Sequence, residues 1–101
     1  MKNVVVRYKL KPECLAEHEG LIKRVFAQLA EARPADLRYE VFKLADGVSF
    51  VHFATHSATD NPLTKLEAFK AFTADIKSRL EEGPLSSEGT QIGSFGHAIP
   101  T

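Results

Sequence analysis

Between Leu37 and Thr55 the chain alternates around a central Asp46-Gly47 pair, with runs rich in β-branched and aromatic residues on either side. Aspartate and glycine tolerate the positive φ of a tight hairpin turn, so the stretch predicts two antiparallel strands. With Asp46 and Gly47 as the turn residues, Ala45 sits opposite Val48 and Lys43 opposite Phe50. Val41 then faces His52, Tyr39 faces Ala54, and these residues share one side of the ribbon. The other side carries Glu40, Phe42 and Leu44 against Phe53, Val51 and Ser49. Both sides are substantially apolar, so the hairpin needs cover above and below.

The flanking segments supply candidates for that cover. Asn3 to Leu10 alternates as a strand, with Val4, Val6, Tyr8 and Leu10 on one side and Asn3, Val5, Arg7 and Lys9 on the other. Pro12 ends it and suits an early helical position, where its missing N–H costs nothing. From Glu13 to Ala32, Leu15, His18, Ile22, Val25, Phe26 and Leu29 recur at helical spacing and form one apolar stripe. Arg33-Pro34 stops that helix. After the hairpin, Asn61-Pro62 and the T-x-x-E box of Thr64 and Glu67 offer two helix starts, with room for a short turn before the helix proper. Leu66, Phe69, Phe72, Ile76 and Leu80 make a second stripe, ended by Gly83-Pro84. Ser87 to His97 is expected to be a short, irregular, bulged fourth strand, its glycines lowering strand propensity.

The order β-α-β-β-α-β predicts one ferredoxin-like α+β domain over residues 1–101, a four-stranded antiparallel sheet with both helices on one face. The opposite face would expose either Tyr39, Val41 and Phe50 or Phe42, Val51 and Phe53. Leaving such side chains in water forfeits about 1.5–3 kcal/mol each. A symmetric homodimer burying sheet against sheet is the simplest remedy.

Composition narrows the function classes. Thirteen basic residues balance thirteen acidic ones, so no net field draws nucleic acid or an anionic membrane. The first residues lack the pattern of a secretory signal, and no apolar run approaches the ~20 residues that span a bilayer; a cytoplasmic location is expected. Cys14 is the sole cysteine, which excludes an internal disulfide and a cysteine-rich zinc site.

The segments VVVRYKLKPE, LRYEVFKLADGVSFVHF and LEAFKAF resemble the antibiotic biosynthesis monooxygenase domain family, within the dimeric α/β-barrel superfamily. The resemblance implies dimers whose sheets enclose a barrel with a small-molecule cavity. It also implies either oxidation of quinol-like or polyketide aromatics without metal or flavin, or haem degradation. The chain has no tryptophan, which haem-degrading members and several aromatic oxidisers use near the second helix. It reads NPLTKLE where the family commonly places a histidine, and Asn3 lies too near the start of its strand to match the haem-contacting asparagine. Haem degradation is disfavoured, and no cofactor is expected.

His52, mid-strand beside Tyr39 in the register above, is the sharpest candidate for chemistry. An imidazole in an apolar cavity could take a proton from a phenol or hydroquinone, leaving an electron-rich anion that reacts with dioxygen. Tyr39 would orient the substrate oxygen, and Arg7 would stabilise the anion if it points into the same space. A histidine hydrogen-bonded across the sheet or a dimer interface fits the same pattern without catalysis. His56 lies roughly 13 Å further along the strand, too far to share a metal with His52 in one subunit. His18 falls in an apolar stripe and reads as packed, Cys14 lies near a helix N-terminus without a base in sequence, and His97 carries no assignment. The expectation is a cofactor-independent monooxygenase acting on a small aromatic or quinol-like molecule in a dimer cavity, with a non-catalytic small-molecule-binding dimer or a dimerisation module as alternatives.

Overall fold

The structure is a computed structural model and describes residues 1–96. Strand β1 spans Lys2–Leu10; a 3-10 turn over Pro12–Cys14 leads into α1, Leu15–Ala32, and β2 and β3 are Leu37–Lys43 and Ser49–His56. A second 3-10 turn, Pro62–Lys65, precedes α2, Glu67–Ala74; the four-residue α3, Ile76–Arg79, and β4, Leu80–Gly89, follow. All strand pairs are antiparallel, in the order β2-β3-β1-β4, so the chain has the expected ferredoxin-like four-stranded sheet.

The hairpin register is the expected one. Tyr39 pairs with Ala54, Val41 with His52 and Lys43 with Phe50. The turn itself is wider than two residues: Leu44 N–H donates to the Ser49 carbonyl at 2.8 Å. Asp46 ties it by accepting from the Val48 and Ser49 amides, and Gly47 takes φ +79°. At the second helix both start signals are resolved. Asn61 accepts from Leu63 N–H and caps the 3-10 turn, while the Thr64 hydroxyl donates to the Asn61 carbonyl and makes no capping box. Gln28 of α1 instead accepts from Ala68 N–H, satisfying one of the donors that a helix start leaves over.

The fourth strand lies elsewhere than expected. It is Leu80–Gly89, which includes the Gly83-Pro84 pair, and residues 90–96 form neither helix nor strand. Proline is tolerated there because β4 is an edge strand whose register shifts opposite Arg7–Leu10. Gly83 sits at φ +90°, and a Cβ on it would lie 2.9 Å from the Arg7 carbonyl oxygen, so this bulge needs glycine. His97 lies outside the described residues.

Parity along the strands decides which face is which. Tyr8, Leu10 and Phe50 are buried with Leu80, and Leu15 and Ile22 of α1 pack against them. Val25, Leu63, Leu66 and Phe72 form a second cluster between the helices, reaching Tyr39 and Ala54 on the sheet. The face away from the helices therefore carries Phe42, Phe53 and Leu85, which are 49%, 44% and 60% exposed. Of the two outward sets considered, it is the one with Phe42, Val51 and Phe53.

Candidate active site

Ala54 stands on β3 between His52 and His56, all facing the helices, and pairs with Val4 on one side and Tyr39 on the other. Larger side chains flank this small one, and a cavity of about 330 Å³ opens beside it between the sheet and α2. Val4, Val6, Phe69, Phe72 and Ile76 make its walls mostly apolar, and Tyr8, Tyr39, His52 and His56 bring polar atoms to it.

Tyr8, His52 and Tyr39 belong to one continuous chain of hydrogen bonds. The Arg79 Nε–H donates to His18 Nδ1 at 3.1 Å; His18 Nε2 lies 2.6 Å from the Tyr8 hydroxyl. Tyr8 in turn lies 2.6 Å from His52 Nε2, and His52 Nδ1 lies 2.7 Å from the Tyr39 hydroxyl. Each member comes from a different element: Arg79 from α3, His18 from α1, Tyr8 from β1, His52 from β3 and Tyr39 from β2. His18 is fully buried and Arg79 is 3% exposed, and the guanidinium also donates to the Phe72 carbonyl and lies 5.7 Å from the Phe72 ring centre. No buried side-chain polar atom among the described residues lacks a partner.

Burial sets the electrostatics. Desolvation, with the Arg79 charge second, pushes His18 down to about 4, and desolvation, with His18 second, takes His52 to about 4. Both rings are therefore neutral at pH 7. Burial raises the Tyr8 and Tyr39 hydroxyls well above the ordinary phenol value, so both keep their protons.

The three residues singled out from the sequence divide. His52 and Tyr39 are joined by a hydrogen bond; Arg7 pairs with Val51 and Leu85 and is exposed on the opposite face of the sheet, away from them. The expected shared space for Arg7 is excluded by the register, which sets Val6, not Arg7, opposite His52. His52 itself has both ring nitrogens engaged. His56, previously weighed only as a metal ligand, has its Nδ1 2.8 Å from the Ser57 carbonyl and must donate there, which leaves Nε2 an acceptor with no partner among the described residues. No group of three metal-ligating side chains occurs among the described residues. Cys14 is half-buried and does not line the cavity.

Sequence reasoning missed Tyr8, His18 and Arg79 as site members. One signal was present: a histidine inside an apolar helical stripe must find a buried partner, and Tyr8 shares the strand parity of Val6 and Leu10.

No protein-family model and no curated protein sequence matches the chain. Solved structures do. A candidate antibiotic biosynthesis monooxygenase from Nitrosomonas europaea superposes with a TM-score of 0.74 at 13% identity, over 94% of this chain and 93% of the other. Another, from Caulobacter crescentus, gives 0.66 at 23% identity over 91% and 90%. SnoaB from Streptomyces nogalater, described as a cofactor-independent oxygenase, gives 0.65 at 18% identity over 95% and 97%. These likenesses establish the fold, and it is that of the family the sequence resembles.

Proposed function

We propose that this chain, built on the fold of the antibiotic biosynthesis monooxygenases, is a cofactor-independent monooxygenase for a small aromatic or quinol-like molecule. The observation that carries the reading is an apolar cavity of about 330 Å³ with the 2.7 Å Tyr39–His52 hydrogen bond in its lining. That volume is at the lower end of the range for ligand pockets, roughly 300–1,000 Å³, and suits a compact ring system.

The chemistry needs no external reductant. A phenol oxidised to a para-quinone by one dioxygen gains one oxygen as the second carbonyl; the other oxygen leaves as water with the two hydrogens the ring loses. All four electrons come from the substrate. Tyr39 donates a hydrogen bond to the ring oxygen as negative charge grows on it, and His52 holds Tyr39 in place. His56 Nε2 is the proton acceptor that the cavity lining offers, because both His52 nitrogens are taken.

The second half of the proposal is a homodimer. Phe42, Phe53 and Leu85 form an exposed apolar face on a sheet whose other side the helices already cover. A second copy laid sheet to sheet buries it, and the cavity stays within each subunit.

Oxygen uptake tests the activity, using a panel of small phenols and hydroquinones with a chelator present and no flavin or nicotinamide added. Labelled dioxygen should place one heavy oxygen in the product. Binding of these compounds without uptake would leave a ligand-binding protein in place of an oxygenase.

A further inference from the structure

We propose that the buried Arg79 guanidinium, acting through His18, Tyr8, His52 and Tyr39, makes Tyr39 a permanent hydrogen-bond donor, so that the cavity holds its ligand as an anion, a phenolate or enolate. The inference rests on the reading of the cavity as the substrate site and names the form of the substrate that it selects.

The argument follows the protons. Arginine has donors and no acceptor, so His18 Nδ1, which receives the Arg79 Nε–H, must be bare. A neutral His18 then carries its hydrogen on Nε2 and donates to the Tyr8 oxygen. The Tyr8 hydrogen has one remaining partner, His52 Nε2, which must accept. His52 therefore carries its hydrogen on Nδ1 and donates to the Tyr39 oxygen. The Tyr39 hydrogen is the first in the sequence without an acceptor among the described residues. Reversing the chain would set a His18 N–H against the Arg79 N–H, two donors face to face. The order is locked at the arginine end, and its far end offers a hydrogen to whatever occupies the cavity.

Charge points the same way. Arg79 is in none of the ion pairs among the described residues, and its partners there are a neutral ring nitrogen, a carbonyl and an aromatic face. A buried cation without a carboxylate is costly unless an anion answers it. The one carboxylate that acts on His18 is Glu19, on the surface and bound by Lys43 at 3.0 Å. A ligand anion at Tyr39 would receive a donor already aimed at it and the field of that cation. Arg79, His18, Tyr8 and His52 are on this account positioning residues.

Two measurements decide. In the ligand-free protein at pH 7.5, imidazole nitrogen chemical shifts should show His52 protonated at Nδ1 and His18 at Nε2. His52 carrying its hydrogen on Nε2 would overturn the lock outright, whatever the cavity binds. Arg79→Met should release the His52 tautomer and Arg79→Lys should restore it; retention of the tautomer in Arg79→Met would also overturn the lock. The second measurement follows the visible phenolate band of 4-nitrophenol. A hydrogen bond to a charged acceptor is roughly twice as strong as one to a neutral acceptor, so the phenolate should bind on the order of tenfold tighter than the phenol, with the preference lost in Arg79→Met. Equal affinity for the two forms would overturn the anion claim while leaving the cavity a binding site. Binding of neither form would remove the anion claim together with the cavity reading.

Discussion

The two faces of this sheet are drawn from the same strands, in strict alternation, yet they solve opposite problems. On β3, Phe50, His52, Ala54 and His56 turn to the helices, while Val51, Phe53 and Thr55 turn away. The helix-covered face is dense where aromatic rings pack edge-on or tilted against His18 and His52, and open where Ala54 leaves room. Its polar groups are few, and among the described residues every fully buried side-chain polar atom has a partner. The bare face holds large apolar side chains with charged neighbours such as Arg7 and Glu40, and among the described residues only the segment around residues 90–93 borders it, leaving Phe42 and Phe53 exposed. Burial of a connected polar chain creates a site; burial of an unpolarised apolar layer creates an interface. Chemistry should therefore respond to changes on one face and assembly to changes on the other.

Acid should produce the largest effect, and through the covered face. His18 and His52 have folded values near 4 against an ordinary 6.5, so between those limits the unfolded chain binds more protons. Stability is full above about pH 6.5 and falls as pH drops toward 4. At about 1.4 kcal/mol per pH unit over that interval, the loss is on the order of 3 kcal/mol for each ring. Denaturant titrations across this range check it, and His18→Gln should flatten the slope. An unchanged slope would move the acid sensitivity elsewhere.

Next in size is Tyr39→Phe. Removal of one donor aimed at developing charge costs on the order of a hundredfold in rate, whereas the lost hydrogen bond costs the fold only about 1 kcal/mol. Oxygen uptake should collapse while sedimentation stays dimeric.

Phe53→Asp sharpens the comparison from the other side. A charge in the sheet-to-sheet layer should weaken dimerisation at least about tenfold, since the lost apolar burial alone is worth roughly 1.5–3 kcal/mol. The His52 ring resonances should not move. If the variant sediments like the parent, the bare face is not the interface.

Arg7→Ala should do least. Its side chain is on the bare face, so uptake should stay within about twofold, in the ordinary range for a surface change. A large loss would place Arg7 in the chemistry after all, reached from a partner subunit.

How far the sequence reaches is itself uneven across the two faces. Hairpin register was legible because a period of two and a single Asp-Gly turn leave one alignment that keeps Tyr39, Val41 and Lys43 in phase with Ala54, His52 and Phe50. The Tyr39–His52 contact came with it. The fourth strand was hidden because Leu80 extends the helical stripe and Gly83-Pro84 reads as a stop; only the edge position of β4 makes that pair acceptable inside a strand. Arg79 and Tyr8 were hidden by separation: Arg79 is 61 residues from His18 and Tyr8 is 44 from His52. The condition set on Arg7, that it share the space of His52, could not be decided in advance because its face depends on the β1–β3 register, which no turn fixes.

The most direct test asks which face takes the ligand. Titration of the labelled protein with a small hydroquinone or phenol, followed by side-chain NMR, should shift the Ala54 methyl, the His52 and His56 rings and Phe69 together. Phe42, Phe53 and Leu85 should stay in place. Shifts confined to those three, with Ala54 and the two histidines unmoved, would contradict the account, because the ligand would then bind where two copies are meant to meet.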